Sequence, residues 1–120
     1  MTSRITGVVI DCADPIPLAA FWSQVLGYRS AAEPDFAWLE TPEGTVAVGF
    51  QRVPEGKVVK NRVHVDLTPA DSTQAEEVAR LLALGARHAD VGQGSEVSWV
   101  VMADPEGNEF CVLRPAPEAA

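Results

Sequence analysis

Four side chains in the second half of the chain are of types that can bind a metal ion or move a proton. His64 and Asp66 stand two residues apart in one apolar run, and Glu109 and Cys111 stand two apart in another. Side chains alternate between the two faces of a strand, so each pair shares a face if these runs are strands. Imidazole, carboxylate and thiolate groups are metal ligands, and imidazole is the commonest general base. His64 is therefore the candidate catalytic residue.

A wider set of residues is predicted to line a pocket for a small molecule, because such pockets combine apolar walls with a few polar groups. Asp11 would share a strand face with Gly7 and Val9 and, together with Asp66, would make the pocket acidic. An acidic, aromatic pocket favours a cationic or amphipathic ligand. The predicted ligand-binding residues are Asp11, Trp38, Phe50, His64, Asp66, Trp99, Glu109 and Cys111.

Structural roles are the alternatives for several of these residues. Trp38 and Trp99 could equally pack in a core, and His64 could be a hydrogen-bonded histidine without chemistry. Cys111 could be a small buried apolar residue, since nothing beside it in the sequence marks a reactive thiolate.

The composition is that of one globular domain without affinity for nucleic acid or membranes. The chain has 120 residues, 47% of them apolar, and a net charge of −8. Binding to phosphate backbones requires concentrated positive charge, and the apolar runs are shorter than the roughly 20 residues that span a bilayer. The start of the chain lacks the apolar segment of a signal peptide. We therefore expect a cytoplasmic protein in which Cys12 and Cys111 are free thiols.

The chain repeats itself, which predicts two copies of one structural unit. Four markers recur in the same order, and their offset grows slowly, as short loop insertions in the second copy would cause. These markers are the apolar run before Asp14 and Asp71 (offset 57), Leu26-Gly27 and Leu84-Gly85 (58), Trp38 and Trp99 (61), and Pro42-Glu43-Gly44 and Pro105-Glu106-Gly107 (63).

Each copy is predicted to contain one helix of about three turns. In the first copy Asp14 and Pro15 suit the start of the helix and Gly27 suits its end. In the second copy Asp71 or Ser72 starts the helix. Apolar residues at spacings of three and four form the buried stripes, which are Leu18, Phe21, Trp22 and Val25 in the first helix and Ala75, Val78, Leu81 and Leu82 in the second.

Strand-like runs surround each helix, so each copy reads as a βαβββ module. The Pro-Glu-Gly tripeptides supply turns between the last two strands of each module. Module one is predicted at about 5–52, a connector at about 53–61, module two at about 62–114 and a tail at 115–120. The strands that follow the helices are predicted at 30–32, 36–40 and 45–52 in module one, and at 87–91, 97–103 and 108–114 in module two.

These residues resemble the vicinal oxygen chelate superfamily, in particular its short glyoxalase-like branch. The resemblance implies an α+β fold in which two tandem βαβββ modules form a cupped pocket with the helices outside, as a single glyoxalase-like domain over 1–120. It also implies a homodimer. The matching pieces are Asp14-Pro15, Leu18-Ala19-x-Phe21-Trp22 and Leu26-Gly27 in the first half, and His64-Val65-Asp66, Leu84-Gly85-Ala86 and Asp104-Pro105-Glu106-Gly107-Asn108-Glu109-Phe110 in the second.

The metal-dependent members of this superfamily place His, Gln or Glu on the first and last strands of both modules. Counting from the helix starts and the turns, those positions are Gly7 and Val48 in module one and His64 and Cys111 in module two. Since Gly7 and Val48 offer no side-chain ligand, we expect no cofactor. If the alignment of module one is shifted by one residue, Gly49 or Gln51 takes the place of an apolar neighbour.

A divalent metal stays open as an alternative. If one is present, its expected ligands are His64 and Cys111, with Glu109 as a further candidate and Asp66 on the His64 face.

The resulting hypothesis is a metal-independent protein that binds a small molecule, such as an antibiotic or a hydrophobic metabolite. The alternative is a lyase or isomerase of the glyoxalase type, either metal-dependent or using His64 as general base. A purely structural module with a filled pocket is the third reading. The expected partners are a small-molecule ligand and a second copy of the chain.

Overall fold

The protein is described by a computed structural model over residues 2–94 and 96–115. The predicted tail, apart from Pro115, lies outside the described residues. The chain divides between Gly56 and Lys57 into two compact units, and these are module one and module two below.

Within the described residues each module contains one helix and four strands in the order predicted. This confirms the α+β class and the two βαβββ modules. Module one consists of β1 (Gly7–Cys12), α1 (Pro15–Leu26), β2 (Ser30–Glu33), β3 (Phe36–Leu39) and β4 (Ala47–Arg52), and module two of β5 (Val65–Leu67), α2 (Gln74–Leu84), β6 (Arg87–His88), β7 (Val100–Ala103) and β8 (Glu109–Val112).

In each module the first and last strands are parallel neighbours, and the two intervening strands continue the sheet by antiparallel pairing. The strand orders are β1-β4-β3-β2 and β5-β8-β7-β6. A parallel pair cannot be closed by a tight hairpin, so the helix carries the chain away from the first strand. The consequence for the site is that β5 and β8, far apart in sequence, lie side by side.

Helix α1 packs on its own sheet through the predicted apolar stripe. Leu18, Phe21, Trp22 and Val25 are all buried, and the helix contacts β2, β3 and β4. Pro15 begins the helix after Asp14, and Gly27 ends it with a left-handed φ of 78°.

Helix α2 begins one or two residues later than predicted from Asp71 or Ser72. Its N-cap is Thr73, whose hydroxyl accepts a hydrogen bond from Glu76 N at 3.1 Å, while the Glu76 carboxylate accepts one from Thr73 N at 2.9 Å. This reciprocal pair satisfies two amides at the start of the helix, which neither Asp71 nor Ser72 does here.

The buried face of α2 also differs from the predicted stripe. Ala75 and Leu82 are exposed, whereas Gln74 and Leu81 are buried. The Gln74 amide donates hydrogen bonds to Ser98 O at 2.8 Å and Val112 O at 2.9 Å. A polar residue therefore ties α2 to β8 and to the residue before Trp99, a contact that a search for apolar spacing does not find.

The Pro-Glu-Gly turns have the left-handed glycines that the sequence predicted. Gly44 has a φ of 87° and Gly107 a φ of 89°. In module two Asp104 is fully buried, and its Oδ1 accepts hydrogen bonds from Glu106 N at 2.9 Å and Asn108 N at 3.0 Å. These bonds fix the turn that leads into β8.

Two further expectations concern thiols and membranes. Cys12 and Cys111 are both buried thiols that form no disulfide with each other, as predicted. Neither helix of the described residues is long and apolar enough to cross a membrane.

The capping pair gives a direct test of where α2 begins. We expect Thr73→Ala to lower the free energy of unfolding by about 1 kcal/mol, the usual cost of losing such a cap. Ser72→Ala is the matched control and should change it by less than about 0.5 kcal/mol, because the half-buried Ser72 does not cap the helix. Urea denaturation followed by circular dichroism measures both. A larger loss for Ser72→Ala than for Thr73→Ala would contradict the observed start of the helix.

Candidate functional site

Module two contains a cavity of about 360 Å³ on one face of its sheet. The face is the one that alternation predicted, since Glu109 and Cys111 line it from β8 and stand two residues apart. The sequence had identified five of the lining residues and missed the others. The cavity is lined by Lys60, Asn61, His64, Asp66, Val91, Gln93, Trp99, Val101, Glu109, Cys111 and Leu113.

The polar end of this cavity is a cluster of His64, Asp66 and Cys111. Parallel pairing of β5 with β8 sets Asp66 beside Cys111, and His64 Nε2 lies 3.3 Å from Asp66 Oδ1. One donor atom from each of the three residues lies within 4.8 Å of the other two. The structure therefore brings together three of the four residues that the sequence singled out for chemistry.

Cys111 is held as a neutral thiol in this cluster. Burial raises the pKa of Cys111, and the negative charge of Asp66 and the hydrogen bond that the thiol donates to it raise the pKa further, while Lys60 acts in the opposite direction. A thiol with a raised pKa carries little thiolate near neutral pH. Cys111 is therefore a weak nucleophile in the protein as it stands.

Glu109, the fourth residue, is engaged elsewhere. Its carboxylate lies 2.6 Å from Lys57 Nζ and accepts a hydrogen bond from Asn61 N at 2.7 Å. Burial alone would raise the pKa of Glu109, but the hydrogen bonds from Lys57 and Asn61 outweigh burial and lower it. Glu109 is thus an ionised anchor for the segment from Lys57 to Asn61.

The rest of the cavity wall is apolar and electrically balanced. Trp99 is 40% exposed, and Val91, Val101 and Leu113 add aliphatic surface beside it. Lys57 neutralises Glu109, and Lys60 contributes a positive charge to the lining that contains Asp66. The acidic character expected from the sequence is therefore not found among the described residues of module two.

Module one places its predicted ligand-binding residues on both faces of its sheet. Register pairs Asp11 with Gln51, and Gly49 with both Val9 and Trp38, so Asp11 and Trp38 share one face. Phe50 lies on the opposite face and is fully buried. The prediction that Phe50 lines a pocket is wrong, because its ring belongs to the core that α1 covers.

A stacked aromatic pair occupies the open face of module one. The rings of Phe36 and Trp38 have centroids 6.1 Å apart and an interplanar angle of 24°. Gly49 leaves room for them, since a Cβ there would lie 2.5 Å from Phe36 Cζ. Phe36 was not among the predicted ligand-binding residues, although alternation places it on the same strand face as Trp38.

The strand registers also change which residues of module one correspond to those of module two. Val48 pairs with Leu39 and shares the buried face with Phe50, whereas Gly49 occupies the open face as Cys111 does in module two. The one-residue slip considered from the sequence is therefore real. Gly49 offers no ligand, so these positions of module one still lack a metal donor.

The tryptophans do not correspond to each other. Trp38 precedes its turn glycine, Gly44, by six residues, and Trp99 precedes Gly107 by eight. Counted from the turns, Trp99 matches Phe36.

Known proteins resemble this chain both in sequence and in fold. A family model described as a glyoxalase-like domain matches residues 7–113. None of the curated protein sequences matches.

Several solved structures share the fold of the chain. One is a glyoxalase/bleomycin resistance protein/dioxygenase family enzyme from Burkholderia phytofirmans PsJN, with 23% identity, coverage of 92% of this chain and 97% of that chain, and a TM-score of 0.67. A second is the fosfomycin resistance protein FosX from Mesorhizobium loti, with 13% identity, coverage of 99% and 98%, and a TM-score of 0.70. A third is a solution NMR structure of a protein from Agrobacterium tumefaciens, with 17% identity, coverage of 96% and 99%, and a TM-score of 0.73. At these identities the likeness shows the fold.

The environment of Cys111 predicts how its alkylation depends on pH. Because the thiol pKa is raised, the rate with iodoacetamide should still be climbing at pH 9, where an ordinary thiol with a pKa of about 8.5 is mostly thiolate. Asp66→Asn removes the neighbouring negative charge and should shift the rate profile to lower pH. Peptide mass spectrometry resolves Cys111 from Cys12.

Asp71→Asn is the matched control, since it removes one exposed carboxylate of the same module. Its alkylation profile should match that of the unmodified sequence. An equal shift in both variants would show that net charge, and not contact with Asp66, sets the Cys111 pKa.

Proposed function

Because the chain belongs to the glyoxalase-like family of the vicinal oxygen chelate superfamily, as its sequence motifs suggested, we propose that it binds a small amphipathic molecule in the cavity of module two. The observation that carries the proposal is the cavity itself, which has an apolar wall at Trp99 and a polar end at His64, Asp66 and Cys111.

The size of the cavity supports a ligand of one or two rings. A volume of about 360 Å³ lies at the lower end of the 300–1,000 Å³ that is usual for ligand pockets. The wall would bury the apolar part of such a molecule, and its hydrogen-bonding group would meet His64 or Asp66. A hydrophobic metabolite or antibiotic is the class of compound with this character. Binding through the wall does not require a metal ion.

The charges around the cavity refine this class. Lys60 and Asp66 lie in the lining, and Lys57 neutralises Glu109. A balanced pocket discriminates against a strongly charged ligand, because burying an uncompensated charge is costly. We therefore propose that the ligand is a neutral or weakly polar compound and not the cation expected from the sequence.

The wall can be tested with Nile red, an uncharged dye whose fluorescence rises in apolar surroundings. We expect saturable binding that is weakened about tenfold by Trp99→Ala, equivalent to about 1.4 kcal/mol. Compounds from a metabolite and antibiotic library that displace the dye identify the ligand class. Near-ultraviolet circular dichroism confirms that each variant keeps its tertiary packing.

Trp38→Ala is the matched control, because Trp38 is the other partly exposed tryptophan. Its dye affinity should stay within about twofold of the unmodified sequence, since small differences of that size are below 0.5 kcal/mol. Weaker binding by Trp38→Ala alone would assign the binding wall to module one. No saturable binding at all would contradict the proposal.

A second candidate function is proton transfer at carbon beside a carbonyl group. The observation that favours it is the His64–Asp66 pair, with Nε2 and Oδ1 3.3 Å apart at the edge of the cavity. A carboxylate that orients an imidazole is a recurring arrangement of general bases. Here Asp66 would fix the ring of His64, and the cavity would hold the carbonyl compound.

This candidate is tested without knowing the natural substrate. A panel of carbonyl compounds with an α-proton is incubated with the protein in heavy water, and NMR follows loss of the α-proton signal. Exchange that His64→Gln abolishes would support His64 as the base. His88→Gln, the same change at the other histidine, should leave it intact. Exchange that survives in His64→Gln would exclude this role.

A further inference from the structure

We infer that residues 57–61 form a strap along one side of the cavity in module two, and that this strap limits the size of the molecules that enter. Glu109 is the positioning residue that holds the strap closed. The role of the strap in ligand selection rests on the proposed function above. Access to the cavity can nevertheless be measured without the natural ligand.

The strap is fastened at both ends to a single carboxylate. At one end Lys57 Nζ lies 2.6 Å from Glu109 Oε2, and at the other end Asn61 N donates a hydrogen bond of 2.7 Å to Glu109 Oε1. Glu109 belongs to β8, which is paired with β5 on one side and β7 on the other. The anchor is therefore part of the sheet, whereas the strap is attached to it only through side-chain contacts of Glu109.

Few other interactions hold the strap in place. Residues 57–61 lie in neither a helix nor a strand. Val58 and Val59 are 92% and 72% exposed, so apolar packing contributes little. Lys57 Nζ also donates a hydrogen bond to Val59 O at 2.6 Å, which joins the ammonium group to the middle of the strap. Because segments with few buried contacts open at a low cost in free energy, the contacts of Glu109 determine whether the strap is closed.

The strap forms part of the cavity wall at its second end. Lys60 and Asn61 line the cavity together with Cys111, whereas Lys57 is not one of the lining residues. Displacement of the strap would move Lys60 and Asn61 and enlarge a cavity of about 360 Å³. Lys57 thus acts on the cavity only through the strap, which makes it the residue to change in a test.

The burial of the ion pair explains why the loss of Lys57 would open the strap. The side chain of Glu109 is 10% exposed and that of Lys57 is 26% exposed. Removal of one partner leaves a poorly hydrated charge, which is costly. Movement of the strap away from β8 lets water reach the Glu109 carboxylate and removes this cost.

The size of reagent that reaches Cys111 reports on the strap, because Cys111 lies in the cavity lining. The alkylation rate with a bulky reagent, pyrene maleimide, is divided by the rate with a small one, N-ethylmaleimide. Both reagents react with the thiolate, so this ratio does not depend on the thiol pKa. Lys57→Met should raise the ratio about fivefold, which corresponds to about 1 kcal/mol in an opening equilibrium. Peptide mass spectrometry separates Cys111 from Cys12, whose ratio should stay the same.

Two variants are matched controls for Lys57→Met. Arg62→Met removes an exposed positive charge next to the strap, and Lys57→Arg keeps the cation that faces Glu109. Both should leave the ratio within about twofold, a difference below about 0.5 kcal/mol. An equal rise in Arg62→Met would assign the effect to net charge. An unchanged ratio in Lys57→Met, with native near-ultraviolet circular dichroism, would overturn the inference.

Amide hydrogen exchange measured by NMR tests the strap in the unmodified sequence, so it does not depend on how variants fold. Relative to its intrinsic rate, the Asn61 amide should exchange at least about tenfold more slowly than the Val58 amide, which corresponds to about 1.4 kcal/mol. Lys57→Met should reduce the protection of Asn61, because both ends of the strap share one carboxylate. Equal protection of Asn61 and Val58 in the unmodified sequence would show that the strap is not fastened.

Failure of the strap is distinguishable from failure of the proposed function. If the strap is not fastened, Nile red should still bind at the Trp99 wall. If Nile red does not bind while the reagent ratio and the exchange rates behave as expected, the strap is confirmed and the proposed ligand site is wrong.

Discussion

Parallel pairing of β5 with β8 is the constraint on which the site depends. It sets Asp66 directly beside Cys111, although the whole of α2, β6 and β7 separates them in the chain. A parallel pair requires a long crossover, and α2 provides it. The hydrogen bonds of Gln74 to Ser98 O and Val112 O then hold that crossover against the end of β8 and the segment that precedes β7. The packing of α2 therefore helps to determine the geometry of the cavity.

The same pairing in module one produces no such cluster. Val9 lies beside Gly49 there, and the open face is occupied by Phe36 and Trp38. Gly49 has no side chain, and this leaves room for the Phe36 ring. The two modules thus share one backbone fold. Module two carries the cluster of His64, Asp66 and Cys111 on its open face, whereas module one carries an aromatic stack. Function depends on these side chains, and the backbone fold alone does not determine it.

Most of the fold could be predicted from the sequence, because turns and apolar spacing are local signals. The helix ends at Gly27 and Gly85, the two Pro-Glu-Gly turns and the faces of β5 and β8 follow from single residues and alternation. The error at Phe50 arose where counting crossed a loop, since one residue more or less exchanges the two faces of a strand. The Thr73 cap is also a local signal, because Thr73 and Glu76 form a Thr-x-x-Glu pattern. The predicted start was nevertheless Asp71 or Ser72.

What the sequence could not predict are contacts between side chains that are distant in the chain. Glu109 shares a face with Cys111, so alternation grouped them, but Lys57 from the connector draws its carboxylate away. The residues from Lys57 to Asn61 looked like a plain linker by composition. Only the folded chain shows that this segment is anchored on β8 and that Lys60 and Asn61 belong to the cavity lining.

The charge balance of the cluster explains how an apolar cavity can contain so many ionisable groups. While Cys111 is a neutral thiol, the carboxylate of the cluster is that of Asp66, and the positively charged Lys60 lies in the same lining. The apolar wall therefore does not face a large uncompensated charge, which is the arrangement that would be costly. The raised pKa of Cys111 and the apolar surface at Trp99 are therefore compatible features of one site.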